Sequence, residues 1–343
     1  MNLVFLDEHF IPVKTVDYIN LQWNRRYYEC GQFSIQMLAK DYDKSFWYAY
    51  RASQCELGIV QKTEYTTKEN GEFIQISGFF LEYMLNNDIL YPTFRFQGDL
   101  NDCIRSILTT YCSQIPQFKV GVIQLPNTTI TIQQTGEEAG KQIYSMLQKY
   151  EYSYRLSYDY VSNTILFDTW QGIDRTTALA PILGNEPAVF SQAWGGLKNL
   201  SVVQDESNYK NYAVIAGSGE GEKRQHVILD NTRGEPARKV YIDARDLQQS
   251  DDMTQKEYWD TLAQRGAEKL NDYAKITNIA FEATGSLQYQ KDFDLGDKCD
   301  LVISGTGMEY ESRIIGVDEV IKENRTEINL LFGDKIPKRY RKV

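Results

Sequence analysis

Aspartates 292, 294 and 297 in the stretch DFDLGD set three hard oxygen ligands close together around Gly296. Calcium loops use donors of this type and spacing, but the further ligand positions and the distal bidentate glutamate of a helix–loop–helix site are missing. A β-turn between strands is the plainer reading. GSGEGE (217–222) alternates glycines, yet no helical pattern follows it, so it offers no helix N-terminus to a phosphate and reads as a loop between strands. His9 and His226 lie in unrelated contexts, and no G-x-S-x-G, H-E-x-x-H or Walker pattern occurs. Accidental carboxylate pairs are inevitable among 47 acidic residues, and nothing singles out one pair for glycoside hydrolysis. The residues therefore point to no enzyme, no metal and no cofactor.

The most unusual stretch is LQWNRRYYECGQFSIQM, where Arg25 and Arg26 stand among aromatic residues. After Gly31 the pattern alternates apolar and polar, as a half-buried strand does. Before it, Leu21, Trp23 and Tyr27 fall on one side of a second strand. Glu29-Cys30-Gly31 is the expected turn, with Gly31 taking a positive φ. An arginine-rich hairpin suits a catalytic surface, a nucleic-acid platform or an assembly face. Net charge of −10 and a pI near 5.0 speak against general nucleic-acid binding, so the arginines read as surface or ion-paired groups.

These residues sit in 343 positions, enough for two or three cores. The 24 tyrosines exceed what 8 prolines and 2 histidines would lead one to expect, and suit strands and wet interfaces. Five cysteines (30, 55, 103, 112, 299) include no C-x-x-C, and read as reduced, mostly buried thiols. MNLVFLDEHF lacks a signal-peptide core and no apolar run approaches about 18 residues, so a soluble protein made in the cytosol is expected.

Residues 1–95 read as β, with 55–85 a long hairpin leading into a short helix. Residues 96–185 read as an α+β insert. Leu100, Ile104, Ile107, Leu108 and Tyr111 follow helical spacing, Thr135 and Glu138 form an expected capping box, and a hairpin turns at Ser162-Asn163. Residues 186–277 hold strands and the clearest helix (253–275), with a capping box at Thr254/Glu257 and a stripe of Trp259, Leu262, Gly266, Leu270 and Tyr273. Residues 278–334 return to β, and 335–343 are a basic tail. Residues 58–78 and 314–333 echo each other: strand, K-E-N turn, strand, closing glycine.

Several of these stretches together resemble one family, the baseplate hub proteins of long-tailed (siphovirus) phages, meaning the N-terminal structural part of tail-tip or tail-associated lysin proteins. They are LQWNRRYYECGQFSIQM, GIVQKTEY with IQISGFFLEYML, GIDRTT, NEPAVFS with LKNLSVVQD, NYKNYAVIAGSGEG, LAQRGAEKL, FDLGDKCDLV, and RIIGVDEV with LLFG. They occur in order across residues 3–334. Family members often carry arginines after the SGFFLEYML segment, where this chain has Asn86, Asn87 and Asp88.

The resemblance implies an α+β, β-rich fold of two tube-like β-barrel domains with α+β insertion domains, the first barrel (1–95) completed by strands from 186–248. It implies a homotrimer that caps a six-fold tail tube and forms part of the DNA ejection channel. Implied partners are further copies of the chain, a distal tail or tail tube protein, the tape-measure protein, and receptor-binding or tip proteins. DNA would pass only in transit, and no stable membrane insertion is implied. The location would be the virion tail tip after synthesis in the host cytoplasm. On this reading Trp23, Arg25, Arg26, Tyr27, Lys338, Arg339 and Arg341 serve assembly interfaces, and Glu64, Glu72, Glu319 and Glu327 face the lumen. A cell-wall hydrolase (tail lysin) and the hub of a contractile injection system are the alternatives, and any lytic activity is expected on other subunits or to be missing.

Overall fold

Period-two patterning builds the first module. In the computed structural model, which describes residues 3–249, 253–305, 307–322 and 325–333, β1 (Leu3–Leu6) pairs antiparallel with β2 (Pro12–Val16). Strands β3 (Asn20–Arg26) and β4 (Gln32–Leu38) form the expected hairpin, setting Leu21 opposite Ile35 and Trp23 opposite Phe33. All four side chains are buried in one core with Met37 and Ile76. Then β5 (Tyr48–Arg51), β6 (Glu56–Lys68) and β7 (Gly71–Phe80) complete the order β3-β4-β7-β6-β5-β1-β2, and a 3₁₀ turn follows at Leu81–Asn86. The outer half of β6 is exposed on both faces, so this hairpin projects beyond the core.

Gly31 departs from expectation. Its φ is not positive. A Cβ there would lie 2.6 Å from the Asn24 carbonyl oxygen and 2.6 Å from the Phe80 ring. Glycine is required by close approach, not by a left-handed backbone.

The insert contains β8 (Phe94–Asp99), α1 (Leu100–Tyr111), β9 (Phe118–Val120), β10 (Thr129–Gln134), α2 (Ala139–Gln148), β11 (Ser153–Asp159) and β12 (Thr164–Trp170). Asp99 caps α1 by accepting from the Asn101 amide, and Leu100, Ile104, Ile107 and Leu108 are buried as their spacing requires. The capping box at Thr135/Glu138 does not form. Glu138 is itself the N-cap of α2 and makes no side-chain cap bond, while the Thr135 hydroxyl pairs with that of Thr93. The insert shares its core with Tyr48, Tyr50 and Leu57 of the first module.

After α3 (Ala180–Leu183) come β13 (Val189–Ser191), β14 (Leu197–Asp205), β15 (Tyr212–Ala216), β16 (His226–Asp230), β17 (Lys239–Asp243) and α4 (Gln255–Asn271). Strand β15 lies between antiparallel β16 and parallel β17, and α4 packs on this small sheet. The Thr254/Glu257 capping box is present. Trp259, however, is 49% exposed, and Tyr258 takes the buried place beside Leu262. Gly266 belongs to the stripe because a Cβ there would press within 2.4 Å of Ile215.

The final strands are β18 (Ile276–Ala283), β19 (Lys298–Ile303), β20 (Met308–Lys322) and β21 (Arg325–Gly333). Strands from 186–248 do not complete the first module: β13 pairs with β19 and β14 with β18. It is β20 that extends the first sheet. Its 15 residues let residues 308–313 pair with β19, while 316–322 pair with both β21 and β3. The path therefore runs β14-β18-β21-β20-β3-β4-β7-β6-β5-β1-β2. The two echoing hairpins flank β3–β4 on opposite sides, and each long strand carries a register shift, near Val60/Lys62 and Ile314/Gly316. Glu323 and Asn324 of the second K-E-N turn lie outside the described residues.

Gly31→Val should cost about 1–3 kcal/mol, the usual range for overpacking a tight site. Cys30→Ser should cost less, because its thiol makes only long contacts to backbone oxygens. Denaturant midpoints of the two variants decide this; equal values would mean the Asn24–Gly31–Phe80 contact relaxes without strain.

Candidate functional site

Position 25 is in phase with Leu21, Trp23 and Tyr27, so alternation along β3 turns an arginine inward, where it is 5% exposed. Such a charge needs partners. Arg25 donates to both Glu56 carboxylate oxygens at 2.6 and 2.7 Å, to Glu319 at 3.0 Å and to Gln54 at 2.5 Å. Glu56 also accepts from the Trp23 indole at 2.6 Å. Arg51, at the end of β5, reaches both oxygens of Glu319 at 2.7 and 3.2 Å and lies over the Trp23 ring. The pairing Glu319↔Trp23 between β20 and β3 delivers the second carboxylate.

Burial disfavours the charge on Arg25, but Glu56 and Glu319 more than offset it and hold the guanidinium above its usual range. Burial likewise pushes Glu319 up, yet Arg51 and Arg25 outweigh it and keep its carboxyl below the ordinary glutamate range. Fixed charges of this kind neither give nor take protons near neutrality. The cluster locks structure.

Trp23 and Tyr27 are fully buried, and Arg25 and Glu319 are 5% exposed. None is free to serve as a contact between subunits or as a lumen group, which corrects the sequence-based expectation. Tyr27 moreover belongs to the core of the C-terminal module, with Arg313 over its ring and Trp170 edge-on. Half-buried Arg26 is tied to Asp318 at 2.5 Å. Glu64 and Glu72 are exposed on the projecting β6–β7 hairpin, where Glu64 pairs with Lys62 at 2.7 Å. Glu327 is half-buried and pairs with Arg325 at 3.0 Å. Lys338, Arg339 and Arg341 lie outside the described residues.

The DFDLGD aspartates serve backbone. Asp297 accepts from Arg175, from the Ile173 amide and from the Asp294 amide at 2.7–2.9 Å. Asp292 accepts from the Gln288 amide and Asp294 from the Leu295 amide. GSGEGE is the connection between β15 and β16, with one 3₁₀ turn at Gly221–Lys223.

Beside the ion cluster lies a cleft of about 460 Å³ where three parts of the chain meet. Its walls come from the first module (Gln54, Phe80, Glu82), the insert (Arg155, Leu156, Trp170) and the 289–295 segment. Glu82 Oε1 accepts from the Leu156 amide at 3.0 Å, and burial raises its carboxyl to about 7. Arg155 lies 5.6 Å over the Trp170 ring. Sequence reasoning missed Arg51, Glu56, Glu82, Arg155 and Trp170. For Glu82 a signal existed, a lone acid within the apolar run FFLEYML.

A family model described as siphovirus ReqiPepy6 Gp37-like protein matches residues 4–334. No curated protein sequence matches the chain. Three solved structures share the fold across nearly their whole lengths. A prophage MuSo2 43 kDa tail protein from Shewanella oneidensis has TM-score 0.62 and 12% identity, covering 97% of this chain and 98% of its own. A tail protein from Neisseria meningitidis has TM-score 0.60 and 11% identity, covering 97% and 96%. Prophage tail protein gp18 from Listeria monocytogenes has TM-score 0.57 and 10% identity, covering 99% and 97%.

Glu319→Ala should lose about 3–5 kcal/mol, because Arg51 and Arg25 remain buried with a partner missing. A loss under about 1 kcal/mol in chemical denaturation would show that water replaces the carboxylate. For Glu82 the raised value means that the folded state keeps its proton longer than the unfolded chain. Its contribution is then most favourable below pH 4.5 and is lost as pH rises towards and past 7. Glu82→Gln should therefore gain stability over wild type at pH 8 and lose that advantage at pH 5; a difference independent of pH would contradict the burial argument.

Proposed function

The chain belongs to the siphovirus ReqiPepy6 Gp37-like family and is a phage-tail structural protein, and from that membership we propose that it is the tail hub, a homotrimer that caps the tail tube and adapts six-fold to three-fold symmetry. The observation that carries this reading is the paired architecture. Two similar hairpins flank β3–β4, and two β-modules are joined through the shared strand β20. Three copies would present six such modules to a six-fold tube. The path leaves β14 at one end and β2 at the other. Unpaired strand edges invite pairing, and a closed ring removes them.

The work of such a hub is mechanical. It would form part of the channel for DNA and tape-measure protein, and would anchor tip or receptor-binding proteins. The ion clusters described above suit a scaffold, since their charges are mutually satisfied. We assign no catalytic role to the chain. Phage tail structural proteins are virion components, and synthesis in the host cytoplasm is part of the proposal.

Light scattering at micromolar concentration should give the mass of a trimer, or approach it with rising concentration. A monomer that persists in the presence of its tube partner would refute the ring. A channel that passes DNA must not hold it. Net charge of −10 repels the polymer on average, and exposed Glu64 and Glu72 suit a lumen wall. Duplex DNA should show negligible binding in a mobility-shift assay at low salt, and tight binding that weakens steeply with salt would overturn this part.

A further inference from the structure

Strand β10 has an open edge where it faces α4. It pairs with β8 alone among the described residues. The Leu100 amide donates to the Thr128 carbonyl at 2.9 Å, which puts the peptide groups of Thr128 on the β8 side. Those groups alternate along a strand, so Thr129, Thr131 and Gln133 turn theirs the other way. Arg265 of α4 reports the same direction, because its guanidinium donates to the Gln133 carbonyl at 2.7 Å. The backbone N–H and C=O of Thr129 and Thr131 have no such partner among the described residues. Both residues line a groove of about 280 Å³ between β10, α2 and α4. Unpaired N–H and C=O groups along an edge are a template for one more strand.

The lining selects what that strand carries. Leu100, Ile130, Met146 and Tyr150 give an apolar surface, which suits apolar side chains at alternate positions of the incoming segment. Asp260 of α4 also lines the groove, is exposed, and makes no ion pair among the described residues. The lining cation Lys149 is already tied to Glu268 at 2.6 Å. One negative charge is left over, and a basic side chain complements it. Residues 129–133 span about 13 Å, room for an extended segment of some four or five residues. We propose that this groove binds an extended segment of a partner chain, alternating apolar and basic residues, which adds as a strand to the outer edge of β10. The groove lies within one subunit and does not depend on trimer formation.

Fluorescein-labelled peptides VKVKV, VEVEV and VKPKV are titrated with the full-length protein and followed by anisotropy. VKVKV should saturate below about 1 mM, the range expected for a few ladder bonds and one ion pair. VEVEV meets Asp260 with the wrong charge and VKPKV lacks a ladder N–H, so each should bind roughly tenfold more weakly. Thr131→Pro removes an outward N–H and spares the ladder to β8, so it should keep its Tm and weaken VKVKV roughly tenfold or more. Thr131→Val retains the N–H and should bind as wild type does. Asp260→Lys changes an exposed residue and should reverse the preference between VKVKV and VEVEV. The proposal falls if VKVKV does not saturate, if VKPKV binds equally well, or if folded Thr131→Pro binds like wild type. Should Thr131→Pro not fold, an unchanged preference in Asp260→Lys overturns it instead. It also falls if Thr131→Pro dissolves an oligomer that wild type forms, since a second copy would then hold the edge. Binding of VKVKV only after removal of residues 335–343 would overturn it too, since the chain itself would then fill the groove.

Discussion

Burying Arg25 and Arg51 obliges the chain to bring Glu56 and Glu319 to the same place, and much of the fold follows from that obligation. An unpaired ion of this kind costs several kcal/mol to desolvate, so a half-built cluster is worse than none. Glu319 arrives only when β20 lies against β3 in the observed register, because shifting that strand by one residue would turn the carboxylate to the opposite face. The cluster thereby specifies register as well as contact. It also explains how one strand serves two modules: its residues 308–313 are committed to β19, while its second half is held to β3 by charge and by the ladder.

The contacts around the cluster extend this logic to the insert and the C-terminal module. Tyr27 leaves β3 and enters the second core, where its hydroxyl donates to the Glu151 carbonyl at 2.9 Å and Arg313 lies over its ring. Arg313 in turn pairs with Glu151 at 2.6 Å. A few polar side chains near the end of β3 thus tie the C-terminal module to the first module and the insert, which already share an apolar core.

Local pattern carried the elements well and their partners poorly. Alternation after Gly31, the stripe of α1 and the capping box of α4 are all written within a few residues, so β4, α1 and α4 were legible. The inward turn of Arg25 was hidden by its polarity, although its phase with Leu21 and Trp23 required it. Its partner Glu319 lies 294 residues away, beyond any periodic signal. Gly31 was read as a turn glycine when the reason for it, the approach of Asn24 and Phe80, is tertiary. The cleft was illegible for the same reason, since its walls come from stretches far apart in the chain. The family resemblance reached the fold as a whole because it rests on the order of many weak pieces.

The sharing of β20 has a consequence for synthesis. Glu319 of β20 is made 294 residues after Arg25 of β3. At about 5–20 residues per second, on the order of tens of seconds separate the two at the ribosome. Through that interval the edge of β3 is open and Arg25 lacks Glu319, so the first module emerges unfinished. Pairing across such a sequence separation is slow to form, because loop closure comes before its reward. The first module therefore stays incomplete until β20 has been made, and a nascent chain that lacks β20 offers its future partners an unfinished β3 edge.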